Sequence, residues 1–218
     1  MTSERLKAGA EDDIAEDIFN LLDVLCDYRG IDRQDENLKE TPQRVAKALL
    51  EITEGYEQDP EEILSKSFPS DDYDQMIVVK DIDYFSTCAH HLMSFYGKVA
   101  VGYIPSVITE YQEGPNSPVE KKGGKVVGLS KIPRLVRAFS RRLQIQERMT
   151  RQIADAMQEH LNPRGVGVVV YDSIHLCSHM RGIEERHSTM ETSTLYGEFR
   201  NDPAVRAEFF SMIYGGRR

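Results

Sequence analysis

The first quarter of the chain predicts two helices. Five apolar residues fall on one face of the first: Ile14, Ile18, Leu21, Leu22 and Leu25. This helix is expected to continue to about Tyr28, and residues 1–10, which lack the periodicity, are expected to form a disordered lead. A second helix is predicted from Thr41 as N-cap, with Pro42 at its first position, to Gly55, a residue type that commonly ends helices.

From Met76 onward the pattern changes to short segments rich in β-branched and alternating residues, which predict strands. The predicted strands are residues 76–88, 97–105, 125–130 and 165–177. Several Gly and Pro residues fall within Ser106–Lys125, so we expect a long exposed loop there.

Two more helices are predicted between the strands, within residues 131–161, with an irregularity near Gln144–Gln146. The turn residues at 162–165 end the second of them. This order of elements predicts an α+β chain in which paired helices cover one face of a largely antiparallel sheet. We divide the chain into the lead 1–10, an N-terminal helical extension 11–74 and a main domain 75–218.

Composition narrows the possible classes of function. A net charge of −9 over 218 residues argues against general affinity for nucleic acid, whose backbone requires a basic face. No apolar run reaches the roughly eighteen residues that a membrane span needs, and the charged N-terminus lacks a signal-peptide core, so we expect a cytoplasmic protein. The three cysteines cannot form a disulfide framework and favour metal binding or catalysis.

Two clusters of potential metal ligands end predicted strands. The first contains Cys88, His90 and His91, and the second contains His175 and Cys177. Residues two apart on an extended segment share a face, so His175 and Cys177 are expected to point into one cavity. Three protein ligands plus water are typical of catalytic zinc, and five candidates leave room for a spare base. Such residues also occur as ordinary core or surface side chains, and the clusters alone leave both interpretations open.

Six segments, in this order, resemble the signature blocks of type I GTP cyclohydrolases: TPQRVAK, CAHHLMSFYGKVAVGYIP, GLSKIPRLVRAFSRRLQIQERMTRQIADAM, NPRGVGVVV, HLCSHMRG and TSTLYGEF. The resemblance spans roughly Leu38 to Phe210. It implies the tunnelling fold, in which the antiparallel sheets of several subunits join into a barrel. It also implies a toroidal homodecamer with active sites between chains.

The resemblance further implies a zinc-dependent conversion of GTP and water to 7,8-dihydroneopterin triphosphate and formate, the first step of pterin and folate-type biosynthesis. The zinc ligands would be Cys88, His91 and Cys177, and the catalytic residues His90, His175 and Ser130. The guanine would be bound by Glu147 and Gln146, and the triphosphate by Arg44, Lys47, Lys131, Arg134 and Arg181. Zinc fits this chemistry because it lowers the pKa of bound water to about 7.

The chain departs from the family pattern at Ala89, where a glutamate is common. The segment 106–125 is also longer than usual. Two alternatives therefore stay open. One is a related tunnelling-fold enzyme that stops at the formamidopyrimidine, and the other is a weakly active GTP-binding regulatory paralogue, which Ala89 motivates.

Overall fold

The structure is a computed structural model that describes residues 3–70, 73–110 and 120–215. Its α-helices are α1 Ser3–Arg29, α2 Thr41–Ile52, α3 Pro60–Ser65, α4 Lys131–Ser140, α5 Gln146–Leu161, α6 Leu176–His179, α7 Glu198–Asn201 and α8 Pro203–Tyr214. Its strands are β1 Ser67–Pro69, β2 Ile77–Cys88, β3 Ser94–Ile104, β4 Val107–Glu110, β5 Glu120–Gly123, β6 Lys125–Val127, β7 Leu143–Gln144, β8 Gly165–His175 and β9 Met190–Gly197. The predicted α+β class is confirmed. No helix in the described ranges combines the length and apolar character that crossing a bilayer requires.

Residues 1–54 form one compact unit, in which α1 packs against α2. Helix α1 begins at Ser3, so residues 3–10 are helical where the sequence predicted a disordered lead; residues 1 and 2 lie outside the described residues. Thr41 is the first residue of α2 rather than its N-cap, and Glu40 precedes it without a side-chain capping bond. The helix ends at Ile52, and Gly55 lies in the short 3-10 helix that follows, Glu54–Glu57.

Residues 55–218 form the second unit, built on a five-stranded sheet in the order β7-β2-β3-β8-β9. Strands β2, β3, β8 and β9 are antiparallel neighbours, while β7 pairs in parallel with the end of β2. The prediction of a largely antiparallel sheet is thus confirmed. The compact unit starts before the predicted main domain, which was placed from residue 75, and it includes α3 and β1.

The sheet is covered on both faces. Helices α4 and α5 pack on one face, where Val99, Val101 and Val168 contribute to the larger hydrophobic core. On the other face, a second core includes Phe199 of α7 and Phe209 of α8. The sequence analysis expected helices on one face only, because it assigned no helix after residue 161 and so missed this second layer.

The segment 106–125 is partly strand. Strands β4 and β5 pair antiparallel, from Val107 opposite Gly123 to Glu110 opposite Glu120, and β6 pairs with β1. The prediction of a loop was therefore wrong at both ends of this segment, where backbone pairing overrides the Gly and Pro content. Residues 111–119 of the predicted loop lie outside the described residues. The strand predicted at 125–130 ends at Val127.

The glycines of the sheet allow a test of the second core. A Cβ atom at Gly167 would lie 2.6 Å from Phe199 Cδ1 and 2.7 Å from Phe209 Cε1, and both rings are buried. Gly167→Ala should therefore lower the free energy of unfolding by about 1–3 kcal/mol, the usual effect of overpacking a core. Denaturant melting measures the change. Gly128→Ala is the matched control, since the nearest atoms there lie 3.8 Å away; an equal loss in both variants would contradict the packing argument.

Candidate active site

A tight turn between β2 and β3 carries two of the predicted metal ligands. The Cys88 N–H donates to the Met93 carbonyl at 2.8 Å, and the Leu92 N–H donates to the Cys88 carbonyl at 2.9 Å. Leu92 adopts the left-handed conformation, with φ at 53°. The chain thereby folds back on itself, and the Cys88 Sγ and His91 Nδ1 atoms lie 3.6 Å apart.

Cys177 comes from the distant end of β8. The strand stops at His175, and Cys177 lies on the single-turn helix α6, so the prediction that both residues extend from one strand was wrong. Both residues nevertheless line one cavity of about 290 Å³. The potential ligand atoms of Cys88, His91 and Cys177 all lie within 4.8 Å of one another, which brings together the three predicted metal ligands.

The donor set fits a zinc ion. Two sulfurs and one imidazole are ligands that zinc prefers, and three protein ligands leave a position for water. Burial, and next the adjacent Cys88 thiol, raise the pKa of Cys177. A cation would favour the deprotonated form of the Cys177 thiol, which this environment otherwise disfavours. Cys88 is buried, whereas His91 is exposed and Cys177 is half-buried, so the cluster lies at the surface of the core.

His175 is held beside this cluster by two contacts. Its ring stacks on the Phe95 ring with centroids 4.6 Å apart and planes within 10°. Its Nε2 atom lies 2.8 Å from Gln146 Oε1. Burial lowers the pKa of His175, the Glu147 carboxylate partly opposes this shift, and His179 adds to it. His175 is therefore a neutral imidazole in a fixed orientation at neutral pH.

The side chain of Gln146 determines which nitrogen of His175 carries the proton. The Gln146 amide nitrogen donates to the Met190 carbonyl and to Thr192 Oγ1, both at 3.2 Å. Because a carbonyl only accepts, this assigns the amide oxygen to His175, whose Nε2 must then donate. The Nδ1 atom of the neutral ring remains as the acceptor. The sequence analysis missed this pairing, since Gln146 and His175 lie on different elements and no local pattern connects them.

Three other residues that were predicted to belong to the site are exposed: Glu147, His90 and Arg181. Glu147 lies in the first turn of α5, directly after Gln146. His90 lies in the β2–β3 turn, with its ring centroid 6.1 Å from that of His91. Arg181 lies just after α6, in the connection to β9.

The remaining candidates of this unit, the catalytic candidate Ser130 and the phosphate candidates Lys131 and Arg134, lie at the start of α4. Ser130 precedes the helix without making a side-chain capping bond, and Lys131 begins it, as predicted. Arg134 lines a different cavity, of about 320 Å³, together with Arg137 and Arg141. Ser130, Lys131 and Arg134 are absent from the described residues that line the 290 Å³ cavity. Within one chain these residues therefore do not contribute to the lining of the cavity that His175 and Cys177 share.

Arg44 and Lys47 belong to the N-terminal unit. Both are exposed on α2, and the Arg44 guanidinium donates to the Glu40 carboxylate at 2.5 Å. Their role as phosphate ligands stays a prediction.

Comparison with known proteins places these features in a family. A sequence profile described as GTP cyclohydrolase I matches residues 15–109 and 120–214. The chain is 44% identical over 209 residues to a protein of Chlorobium phaeovibrioides named GTP cyclohydrolase 1, covering 96% of this chain and 84% of the relative. Proteins of the same name match from Bacteroides thetaiotaomicron, at 47% identity over 86% of each chain, and from Drosophila melanogaster, at 46% over 84% of this chain and 50% of the relative. The chain belongs to the GTP cyclohydrolase I family.

Proposed function

We propose that this chain converts GTP and water to 7,8-dihydroneopterin triphosphate and formate with the help of zinc, as the first step of a pterin or folate-type pathway. Membership of the GTP cyclohydrolase I family supports the type of reaction. The observation that carries the zinc dependence is the group of Cys88, His91 and Cys177, whose ligand atoms lie within 4.8 Å beside His175. The cytoplasmic location stays a prediction.

Cys88, His91 and Cys177 would hold the metal. Zinc in that place supplies a Lewis acid that makes water nucleophilic at neutral pH, which attack at C8 of guanine requires. The protein itself holds the Cys88 thiol in place, because Cys88 is buried in the core at the end of β2 and fixed by the turn to β3.

Proton transfer is assigned to side chains around this cluster. Opening the five-membered ring of guanine requires protons to be taken from water and delivered to ring nitrogens. His175 suits this task because Gln146 fixes its tautomer and leaves Nδ1 as an acceptor. His90, exposed in the same turn as His91, is the second candidate. Ser130, at the start of α4 and outside the lining of the Cys177 cavity in this chain, completes the proposed catalytic set.

The proposed substrate-binding residues form two groups, one for the guanine base and one for the triphosphate. Glu147 is exposed at the start of α5 and offers two acceptor oxygens to the adjacent N1–H and N2 donors of guanine. Gln146 adjoins it, with its side chain already engaged inside the chain. The proposed triphosphate ligands are Lys131, Arg134, Arg181, Arg44 and Lys47. Lys131 begins a helix of ten residues, whose macrodipole favours an anion at its N-terminus.

We also propose that active sites form between chains of a homodecamer with joined sheets. In the described sheet β9 is an edge strand, and most of β2 is flanked on one side only, because β7 pairs with just Thr87 and Cys88. Such edges readily pair with another chain. Pairing β9 of one copy with β2 of the next would continue the sheet towards a barrel. The separation of Arg134 from the Cys177 cavity within one chain supports a site completed by a neighbour.

The reaction itself is tested by incubating the purified protein with GTP and measuring formate together with pterin fluorescence after oxidation. We expect both products in equal amounts, with loss of both after chelation and recovery with zinc. Formate without pterin would indicate an enzyme that stops at the formamidopyrimidine. A protein that binds GTP and releases neither product would support the regulatory alternative.

Cys177→Ala and His175→Ala separate metal binding from proton transfer. Cys177→Ala should lose zinc and activity together, since it removes one of three ligands. His175→Ala should keep zinc and lose a factor of roughly 10²–10⁴ in kcat, the usual contribution of a general acid or base. Metal analysis and steady-state kinetics measure the two effects. Loss of zinc from His175→Ala would make this residue a ligand and refute its proposed role.

The preference of the enzyme for GTP over ATP tests the proposed binding of guanine by Glu147. Adenine lacks the two adjacent donors of guanine, and a site built for such donors rejects an analogue without them by roughly 10⁴–10⁵. We expect strong preference for GTP over ATP in the parent. Glu147→Ala should lose this preference through lower GTP turnover, and Glu147→Gln, which keeps one acceptor, should be intermediate. Turnover of GTP by Glu147→Ala at the parent rate would show that the guanine is bound elsewhere.

A further inference from the structure

The connection between β8 and β9 is closed at its base by one hydrogen bond. His179, the last residue of α6, has its Nε2 atom 3.1 Å from the Ser188 carbonyl oxygen. Because the carbonyl only accepts, Nε2 of His179 is the donor. We name this hydrogen bond the clasp.

The clasp lies beyond the end of the β8–β9 ladder. The last pair of that ladder joins Ser173 to Met190. Beyond this pair the two segments no longer pair with each other, and residues 180–189 are exposed. The other hydrogen bonds that the structure gives for residues 180–189 are local, from the Met180 N–H to the Leu176 carbonyl and from the His187 N–H to the Glu185 carboxylate. The clasp therefore provides a cross-connection that the ladder no longer supplies.

Both partners of the clasp line the cavity of the proposed active site. Its lining comes from two stretches of the chain, one that includes His175, Cys177 and His179 and one that runs from Ser188 to Met190. The clasp joins one residue of each stretch. Arg181, one of the proposed triphosphate ligands, lies in the segment that the clasp encloses, two residues after the donor.

We propose that His179 is a positioning residue, whose hydrogen bond to Ser188 closes the 180–189 segment and sets the place of Arg181 relative to the cavity. The nature of the substrate rests on the proposed function, whereas the closure of the segment does not. The sequence contains no motif for this pair, since a histidine and a backbone carbonyl can be recognised as partners only in the folded chain. An exposed hydrogen bond of this kind changes an opening equilibrium by roughly two- to tenfold.

Three variants test the clasp. His179→Ala removes the donor, and His179→Gln keeps it, because the Gln amide nitrogen occupies nearly the place of the His Nε2. His187→Ala is the matched control, since it removes an exposed imidazole from the same segment and leaves the backbone bond of His187 intact. The first measurement uses zinc-loaded protein without GTP and follows tryptic cleavage after Arg181 by mass spectrometry. We expect cleavage roughly two- to tenfold faster in His179→Ala and at the parent rate in the other two.

The second measurement is steady-state kinetics with GTP. In His179→Ala we expect KM to rise by a similar factor of roughly two to ten, with kcat and zinc content close to those of the parent, and recovery of KM in His179→Gln. Unchanged cleavage in His179→Ala would overturn the clasp. Faster cleavage with unchanged KM would overturn the placement of Arg181, and zinc loss would reassign His179 to the metal cluster. Cleavage is measured without GTP, so a parent protein inactive on GTP would refute the proposed function alone.

Discussion

The direction of three strands determines where the site forms. Strands β2 and β8 both pair antiparallel with β3, so they run the same way and end at the same edge of the sheet. Cys88 is the last residue of β2, and His175 is the last residue of β8. Helix α5 also begins at this edge, because β7 pairs with the end of β2 immediately before it. The direction of the strands therefore brings the proposed ligand Cys88, the His175 imidazole and the first turn of α5 to the same edge of the sheet.

Local patterns gave five candidate ligands, and the family resemblance then selected Cys88, His91 and Cys177 among them. Cys88 and His91 are three apart in a turn that follows an apolar strand, and their proximity depends on few other contacts. The start of α5 at Gln146 was likewise readable from the helical period that precedes Asn162, whose left-handed conformation ends the helix. These features depend on neighbours in the sequence, which is why a single chain was sufficient to predict them.

Features that depend on residues distant along the chain could not be predicted from the sequence. Gln146 was predicted only as a substrate-binding residue, and the structure adds the hydrogen bonds of its buried amide to His175, Met190 and Thr192. Cys177 was expected to continue the strand, whereas the chain turns into α6 directly after His175. Ala89, the position that departs from the family, donates its N–H to the Gln144 carbonyl, a bond that any residue except proline can make. This backbone hydrogen bond at position 89 therefore does not require the glutamate that is common there in the family.

The turn from Cys88 to Met93 has a consequence for the order in which the site is completed. A hairpin of this kind closes within roughly 1–10 μs, so Cys88 and His91 can meet early. Cys177 joins them only after β8 has paired with β3 across the intervening helices α4 and α5, and such non-local pairing is slow. A chain still emerging from the ribosome holds two ligands before the third has been synthesised. Tight binding of a metal by the three proposed ligands therefore requires β8 to have paired with β3, which places it late in folding.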